Sequence, residues 1–219
     1  MYDSDFDIFT DRYDKWYERD KGRVLFTSEV ECIKKALTSY SEPILEVGVG
    51  TGRFAEKLGF KYGVDPSLKI IRKATNRGVV CACGVGEALP FKSKSFGVTC
   101  AIITLCFFND AELALAEMVR VTRDDGMILI GFVPRESAWG QHYLKKKHSD
   151  MPFYRQANFF SYREAVELVE ASGLKIDSVY TTLLTTKPTS SEFQVEEPAV
   201  GYIEGAGFVC ITCMKNNIS

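Results

Sequence analysis

Between Pro43 and Val133 short apolar runs alternate with segments of helical period, the order expected of strands laid parallel with helices as their crossovers. Strands are expected at residues 43–48, 60–65, 78–83, 96–104 and 126–133. Helices are expected at 51–58, at 67–76 with Ser67 as N-cap, and from Asn109 as cap to about Arg123, with Ala111, Leu115, Met118 and Val119 on one face. Further on, Ser161-Tyr162-Arg163-Glu164 fits a capping box, and Gly173 stops the helix it opens. Two more strands, 174–186 and 205–214, are joined by a stretch with no helical period, so they return as a hairpin. The expected fold is α/β and doubly wound: a seven-stranded, mostly parallel sheet with an antiparallel edge hairpin and helices on both faces.

Composition removes several classes of function. The 219 residues are 46% hydrophobic and 26% charged, an ordinary globular balance, and the net charge of −2 creates no strong field for nucleic acid or an anionic membrane. The longest nearly apolar run, Val98 to Phe108, has eleven residues, against the roughly 20 of a bilayer span. The start, Met1-Tyr2-Asp3-Ser4-Asp5, is acidic and carries no signal-peptide pattern, which points to the cytoplasm. Seven cysteines, an odd number scattered through apolar stretches, read as reduced thiols. Cys210 and Cys213 have the spacing of a metal pair, but they lie in an expected strand, where residues three apart face opposite ways, so no metal site is expected.

Two segments interrupt the alternation. Residues 134–160 carry Trp139, Tyr143, Phe153, Tyr154, Phe159 and Phe160 beside Lys145, Lys146 and Lys147, and are long enough to form a lid. Residues 187–204 hold Pro188, Pro198 and the acids Glu192, Glu196, Glu197 and Glu204, and read as a mobile acidic loop.

Chemistry is most legible where the first strand breaks into Glu46-Val47-Gly48-Val49-Gly50-Thr51-Gly52-Arg53 and then a helix. Glycines there let a ligand touch the backbone, and the first amides of a helix receive anionic groups. A dinucleotide fingerprint needs its third glycine at position 53, which is Arg. The second strand ends in Gly63-Val64-Asp65-Pro66-Ser67, with a carboxylate seventeen residues after Gly48. An acid there suits the two hydroxyls of a ribose; it also reads as a capping residue, although Ser67 already serves as N-cap.

The spacing Glu-x-Gly-x-Gly-x-Gly is similar to motif I of the class I S-adenosylmethionine-dependent methyltransferases. The segment Gly84-Val85-Gly86-Glu87-Ala88-Leu89-Pro90-Phe91 resembles the signature after strand 3 in the branch of ubiquinone and menaquinone C-methyltransferases. Glu117-Met118-Val119-Arg120-Val121 and Gly126-Met127-Ile128-Leu129-Ile130 resemble the stretch before their fifth strand. The likeness covers about 41–133 and implies a Rossmann-like fold. It also implies S-adenosylmethionine as cofactor: Glu46 with the Gly48, Gly50 and Gly52 backbone at the methionine part, Asp65 at the ribose, Gly86 and Glu87 on the adenine side, and Thr104 beside the sulfonium. Glu46 reads equally as a tie for the glycine turn, and Thr104 as a strand end. Val85 stands where the family has the Asp that meets the adenine amino group, so the Glu87 side chain or the backbone of Gly86 and Glu87 must serve. Tyr13-Asp14-Lys15-Trp16-Tyr17 is similar to the aromatic start that folds over the cofactor in many of these enzymes. By that likeness residues 1–40 form a helical cap over the cofactor site and 41–219 the methyltransferase domain, with Tyr13 or Trp16 as candidate pocket contacts.

Methyl transfer from a sulfonium is an in-line displacement on an activated carbon, requiring neither metal nor covalent nucleophile. A base helps a protonated acceptor, and His142, His148 and Asp110 are the candidates; the histidines read equally as part of a solvated basic surface. Strand 4 ends Thr104-Leu105-Cys106-Phe107, unlike the Asn/Asp-Pro-Pro-aromatic sequence of nucleic-acid amino methyltransferases, and none of the seven prolines precedes a cysteine as in cytosine C5 enzymes. The expected acceptor is a small molecule, with no nucleic acid and no membrane insertion. Two rival readings are a non-catalytic binder of S-adenosylmethionine or S-adenosylhomocysteine and a nicotinamide-dependent oxidoreductase.

Overall fold

The computed structural model describes residues 14–38, 40–146 and 154–216. Eight strands form one sheet: β1 (Ile44–Val47), β2 (Tyr62–Asp65), β3 (Val80–Cys83), β4 (Phe96–Ile102), β5 (Thr122–Phe132), β6 (Leu174–Thr182), β7 (Ala199–Val200) and β8 (Phe208–Lys215). Their order is β3-β2-β1-β4-β5-β8-β6-β7. The first five run parallel, while β8 is antiparallel to both β5 and β6, and β7 to β6. The antiparallel edge is present. The eighth strand is the two-residue β7, too short to leave a periodic signal in the connection that carries it.

Alternation along each strand divides the core between two faces. Val98, Cys100 and Ile102 of β4, Leu129 of β5, and Phe208 and Cys210 of β8 pack on one side. There they meet α1 (Asp20–Ala36), α2 (Arg53–Leu58), α3 (Leu68–Asn76) and Trp139 of α5 (Ala138–Lys146). On the other side Ile128, Ile130, Val209, Ile211 and Cys213 meet Leu115 and Met118 of α4 (Ala111–Val121) and Leu168 and Val169 of α6 (Tyr162–Ala171). Side chains as fully buried as Phe208, Leu25, Leu115 and Met118 each stabilise the fold by about 1.5–3 kcal/mol. Cys210 and Cys213 thus lie on opposite faces of β8, and all seven cysteines are free thiols.

Boundaries moved for identifiable reasons. Asp110, not Asn109, caps α4 by accepting the Leu113 N–H at 2.9 Å. The helix gives way to β5 with no turn, at Thr122 rather than Gly126, because the Thr122 hydroxyl donates to Met118 O and pairs with Thr99 Oγ1 at 2.7 Å. Strand β6 stops at Thr182, four residues early, where Leu183 takes φ +57°. The next three N–H groups, of Leu184, Thr185 and Thr186, all turn to the Glu196 carboxylate. That nest of amides ties down the acidic loop, as does the Glu196 N–H donating to Ser28 Oγ at 3.0 Å, so the loop expected to be mobile is anchored at its centre. Ser67 caps α3 and both halves of the Ser161–Glu164 capping box form as expected. Among the described residues no helix is long and apolar enough to cross a membrane.

Candidate functional site

A cavity of about 220 Å³ opens at the carboxyl ends of β1, β2 and β4, where parallel strands hand over to their helices. Seven of the eight residues expected from the sequence line it: Glu46, Gly48, Gly50, Asp65, Gly86, Glu87 and Thr104. Gly52 does not; with φ +81° it precedes α2, and a Cβ there would stand 2.9 Å from both Cα and Cβ of Ala74 on α3. At Gly50, φ is +54° and a Cβ would meet nothing within 4 Å, so the backbone itself is the cavity wall.

The turn is braced on three sides. Gly48 and Val49 donate their N–H groups to Val64 O at 2.8 and 3.0 Å, continuing the β1–β2 ladder into the loop. Asp65 accepts the Gly50 N–H on one oxygen and the Ser67 N–H on the other, each at 3.0 Å. The Thr104 hydroxyl lies 3.2 Å from Gly48 O and 3.0 Å from Ile102 O, which locks the end of β4 against the turn. Between them Ile103, a β-branched residue, is held at φ +53° with its N–H on Gly131 O, a strained conformation on the cavity wall.

Glu46 is 1% exposed, and its Oε2 has no hydrogen-bond partner among the described residues. Burial pushes its carboxyl well above the usual range; the Ala55 N–H pulls the other way and the Asp65 charge raises it further. An orphaned acceptor of this kind fits a cationic group arriving in the cavity. The Glu87 carboxylate instead takes the Asn109 and Asp110 N–H groups at 2.7 and 3.2 Å, joining the loop after β3 to the start of α4. That loop is gripped from behind: Glu117 accepts the Leu89 N–H at 2.8 Å, and Arg120 donates to Leu89 O and Phe91 O. The Glu-x-x-Arg motif read from the sequence therefore shapes the wall without reaching the cavity.

Beyond the strand tips the wall is completed by Tyr17, Ile103, Phe107, Phe108, Asn109 and Gln156, none of which the sequence had marked as a pocket contact. Trp16 packs into the core instead, while Tyr13 lies outside the described residues, as do His148 and Phe153. The signal was the aromatic motif that ends in Tyr17, of which Tyr13 and Trp16 were the expected contacts. Among the described residues of the expected lid, only Gln156 reaches the wall; Trp139 is buried with its indole N–H on Thr186 O at 2.8 Å, and Asn158 donates to Cys106 O. His142 stands edge-on to Trp139 off the wall, and burial followed by the Lys146 and Lys145 charges lowers its pKa. Asp110 is occupied as a cap. No cluster of metal-ligating side chains occurs among the described residues.

Residues 45–130 match the family described as "Methyltransferase domain". An uncharacterized protein of Mycobacterium tuberculosis is 37% identical over 202 residues, which is 92% of this chain and 70% of that protein. One from Methanocaldococcus jannaschii is 35% identical over 210 residues, 96% of this chain and 98% of its own length. Among solved structures, a Thermotoga maritima protein described as a SAM-dependent methyltransferase, possible histamine N-methyltransferase, superposes with a TM-score of 0.88 at 36% identity, over 99% of this chain and 100% of that one.

Proposed function

Because the chain belongs to the S-adenosylmethionine-dependent methyltransferases, we propose that the cavity at the strand tips holds that methyl donor against a small-molecule amine. The observation that carries the reading is one cavity with two kinds of wall: carboxylates and an exposed glycine backbone on the strand side, aromatic rings and neutral amides on the other. When bound, the donor supplies a methyl group already activated by its sulfonium; the chain's own residues bind, orient and exclude water.

On the strand side, the lone Glu46 Oε2 suits the ammonium of the methionine part, and the Gly48–Thr51 backbone lies along it. The Asp65 carboxylate, oriented by the Gly50 and Ser67 N–H groups at the tip of β2, faces the ribose hydroxyls. Val85, Gly86 and the Glu87 backbone flank the adenine, the Glu87 carboxylate being committed to Asn109 and Asp110. Thr104, fixed against Gly48, forms the wall beside the sulfonium. Residues 14–38 serve as the N-terminal cap of the site, ahead of a methyltransferase domain that starts near residue 41.

Among the described residues no imidazole lines the cavity, and Glu46, Asp65 and Glu87 are its only carboxylates. An acceptor that needs no dedicated base, such as an uncharged amine, fits these walls. Its lone pair forms the N–C bond as the C–S bond breaks onto sulfur, and the resulting ammonium yields its proton to solvent. Tyr17, Phe107 and Phe108 present ring surface to the cation that develops. Alignment of the two reactants supplies up to about 7–11 kcal/mol of the barrier reduction. The description of the Thermotoga neighbour supports an amine acceptor, the net charge of −2 favours a small molecule over nucleic acid, and the free thiols suit the cytoplasm.

The test is calorimetry with S-adenosylmethionine and S-adenosylhomocysteine, followed by a turnover panel read as S-adenosylhomocysteine formed. Histamine and other small amines are expected to turn over. Turnover only with phenols or quinone precursors would replace the amine by an oxygen or ring carbon, and turnover on RNA or peptide would remove the small-molecule reading. Binding without turnover on any acceptor would leave a regulatory binder.

A further inference from the structure

Asp14 makes more contacts across the molecule than any single role in its own helical segment requires. Residues 14–18 are helical and lie over the glycine turn. The Asp14 Oδ1 accepts the Thr51 hydroxyl at 2.8 Å and Arg53 Nε at 2.7 Å; its Oδ2 accepts Arg77 Nη2 at 3.1 Å, with Lys73 Nζ at 3.8 Å. Arg53 Nη2 donates to the Asp14 carbonyl at 2.7 Å and to Glu18 at 3.1 Å. Arg77, just past α3, donates also to Thr51 O and pairs with Glu56 of α2. One carboxylate thus joins the N-terminal segment, the glycine turn, α2 and α3. Its side chain is 12% exposed, so the contacts are little screened by water.

Two of the groups it holds, Thr51 and Arg53, belong to the cavity wall, and so does Tyr17, three residues on. The Arg53 guanidinium lies over the Tyr17 ring, 5.5 Å from its centre, and Tyr17 in turn packs edge-on against Phe26 of α1. Asp14 therefore sets the separation between the turn below the cavity and the ring beside it. With Arg53 engaged by Asp14 and Glu18, the methionine carboxylate of a bound donor is left to the backbone of the turn.

We propose that Asp14 is a positioning residue, a clasp that closes segment 14–18 across the glycine turn, so that donor and demethylated product exchange only when the clasp opens. This rests on the donor site proposed above. Loss of one partner from a sheltered, hydrogen-bonded charge cluster acts chiefly on dissociation. Burial alone would raise the Asp14 pKa, but the bonds from Arg53, Thr51 and Arg77 outweigh it and keep the group ionised, so the clasp stays charged at neutral pH.

The experiment is a chase: protein loaded with radiolabelled S-adenosylmethionine is mixed with excess unlabelled S-adenosylhomocysteine, for wild type, Asp14→Asn and Arg77→Gln. Arg77 does not itself line the cavity, although it also donates to Thr51 O of the wall, and its variant carries the test if Asp14→Asn fails to fold. Both variants are expected to release label about ten-fold faster or more, with a smaller change in association. The double variant should be little faster than either alone, and amides of residues 14–18 should exchange hydrogen faster. Unchanged release with only a lowered melting temperature would refute the clasp and leave the cluster a fold support. A wild type that binds neither compound would refute the donor site itself.

Discussion

Gly50 and Gly52 sit two residues apart in one turn, and the structure assigns them different costs. Both have positive φ, so alanine at either position is strained by about 1–2 kcal/mol. At Gly52 the new methyl would also press on the backbone and side chain of Ala74 at 2.9 Å. Overpacking of that kind costs about 1–3 kcal/mol, bringing the total to about 2–5 kcal/mol. At Gly50 the methyl meets no protein atom and enters the cavity. In a chain of this size 1 kcal/mol moves Tm by about 2–4 °C. Gly50→Ala should then lower Tm by about 2–8 °C and Gly52→Ala by about 4–20 °C. The order reverses for ligand: Gly50→Ala should weaken S-adenosylhomocysteine binding about ten-fold or more, some 1.4 kcal/mol, while folded Gly52→Ala keeps most of its affinity. Thermal melts by circular dichroism and calorimetric titration on the same preparations decide it. Equal melting losses, with Gly50→Ala binding as tightly as wild type, would refute the claim that one glycine faces ligand and the other faces α3.

Asp65→Ala should abolish micromolar S-adenosylhomocysteine binding in a protein that still folds; undiminished affinity in a titration would remove Asp65 from the ribose site. Stability should depend on pH with opposite signs in two windows. Asp14 binds its proton more weakly folded than unfolded, so its contribution is full above its ordinary pKa of 3.8 and is lost as pH falls through the lower folded value. Glu29, buried on α1 with one oxygen unpartnered among the described residues, is pushed by burial to about 8 from 4.5, so stability falls as pH rises between those values. Glu29→Gln should flatten the alkaline fall in urea melts taken at pH 6 and pH 9, and an unchanged slope would disprove the assignment. A zinc chelator should leave Tm unchanged, because Cys210 and Cys213 face opposite cores; a drop would mean that a metal is bound after all.

The parallel half of the fold was legible because each strand there is bounded by residues that act locally. Ser67 caps with its own hydroxyl, Gly173 turns left-handed at φ +73°, and the Ser161–Glu164 box closes on itself. Local chemistry of this kind does not need the rest of the molecule. Where the reading slipped, a distant partner decided. Thr122 begins β5 early because its hydroxyl meets that of Thr99, and β6 ends early because Glu196 draws off three amides. The site divides the same way. Motif residues near the glycine turn were found by spacing, whereas Tyr17, Phe108 and Gln156 reach the cavity from segments that only tertiary folding brings there. Glu117 and Arg120 stood out as a motif, but their work on the Leu89–Phe91 loop is written in a contact between residues some 28 apart.

The antiparallel strand β8 lies between β5 and β6, both of which precede it in the chain. A ribosome therefore delivers the neighbours before the strand that joins them. Until residues 208–215 emerge, β5 offers a bare edge and the β6–β7 pair has nowhere to dock. Such non-local closure raises contact order and slows folding. Bare hydrophobic edges are also where chains pair with the wrong partner. A chain shortened to end before Phe208 would keep all five parallel strands with their turns and capped helices, yet it should collect in aggregates during synthesis.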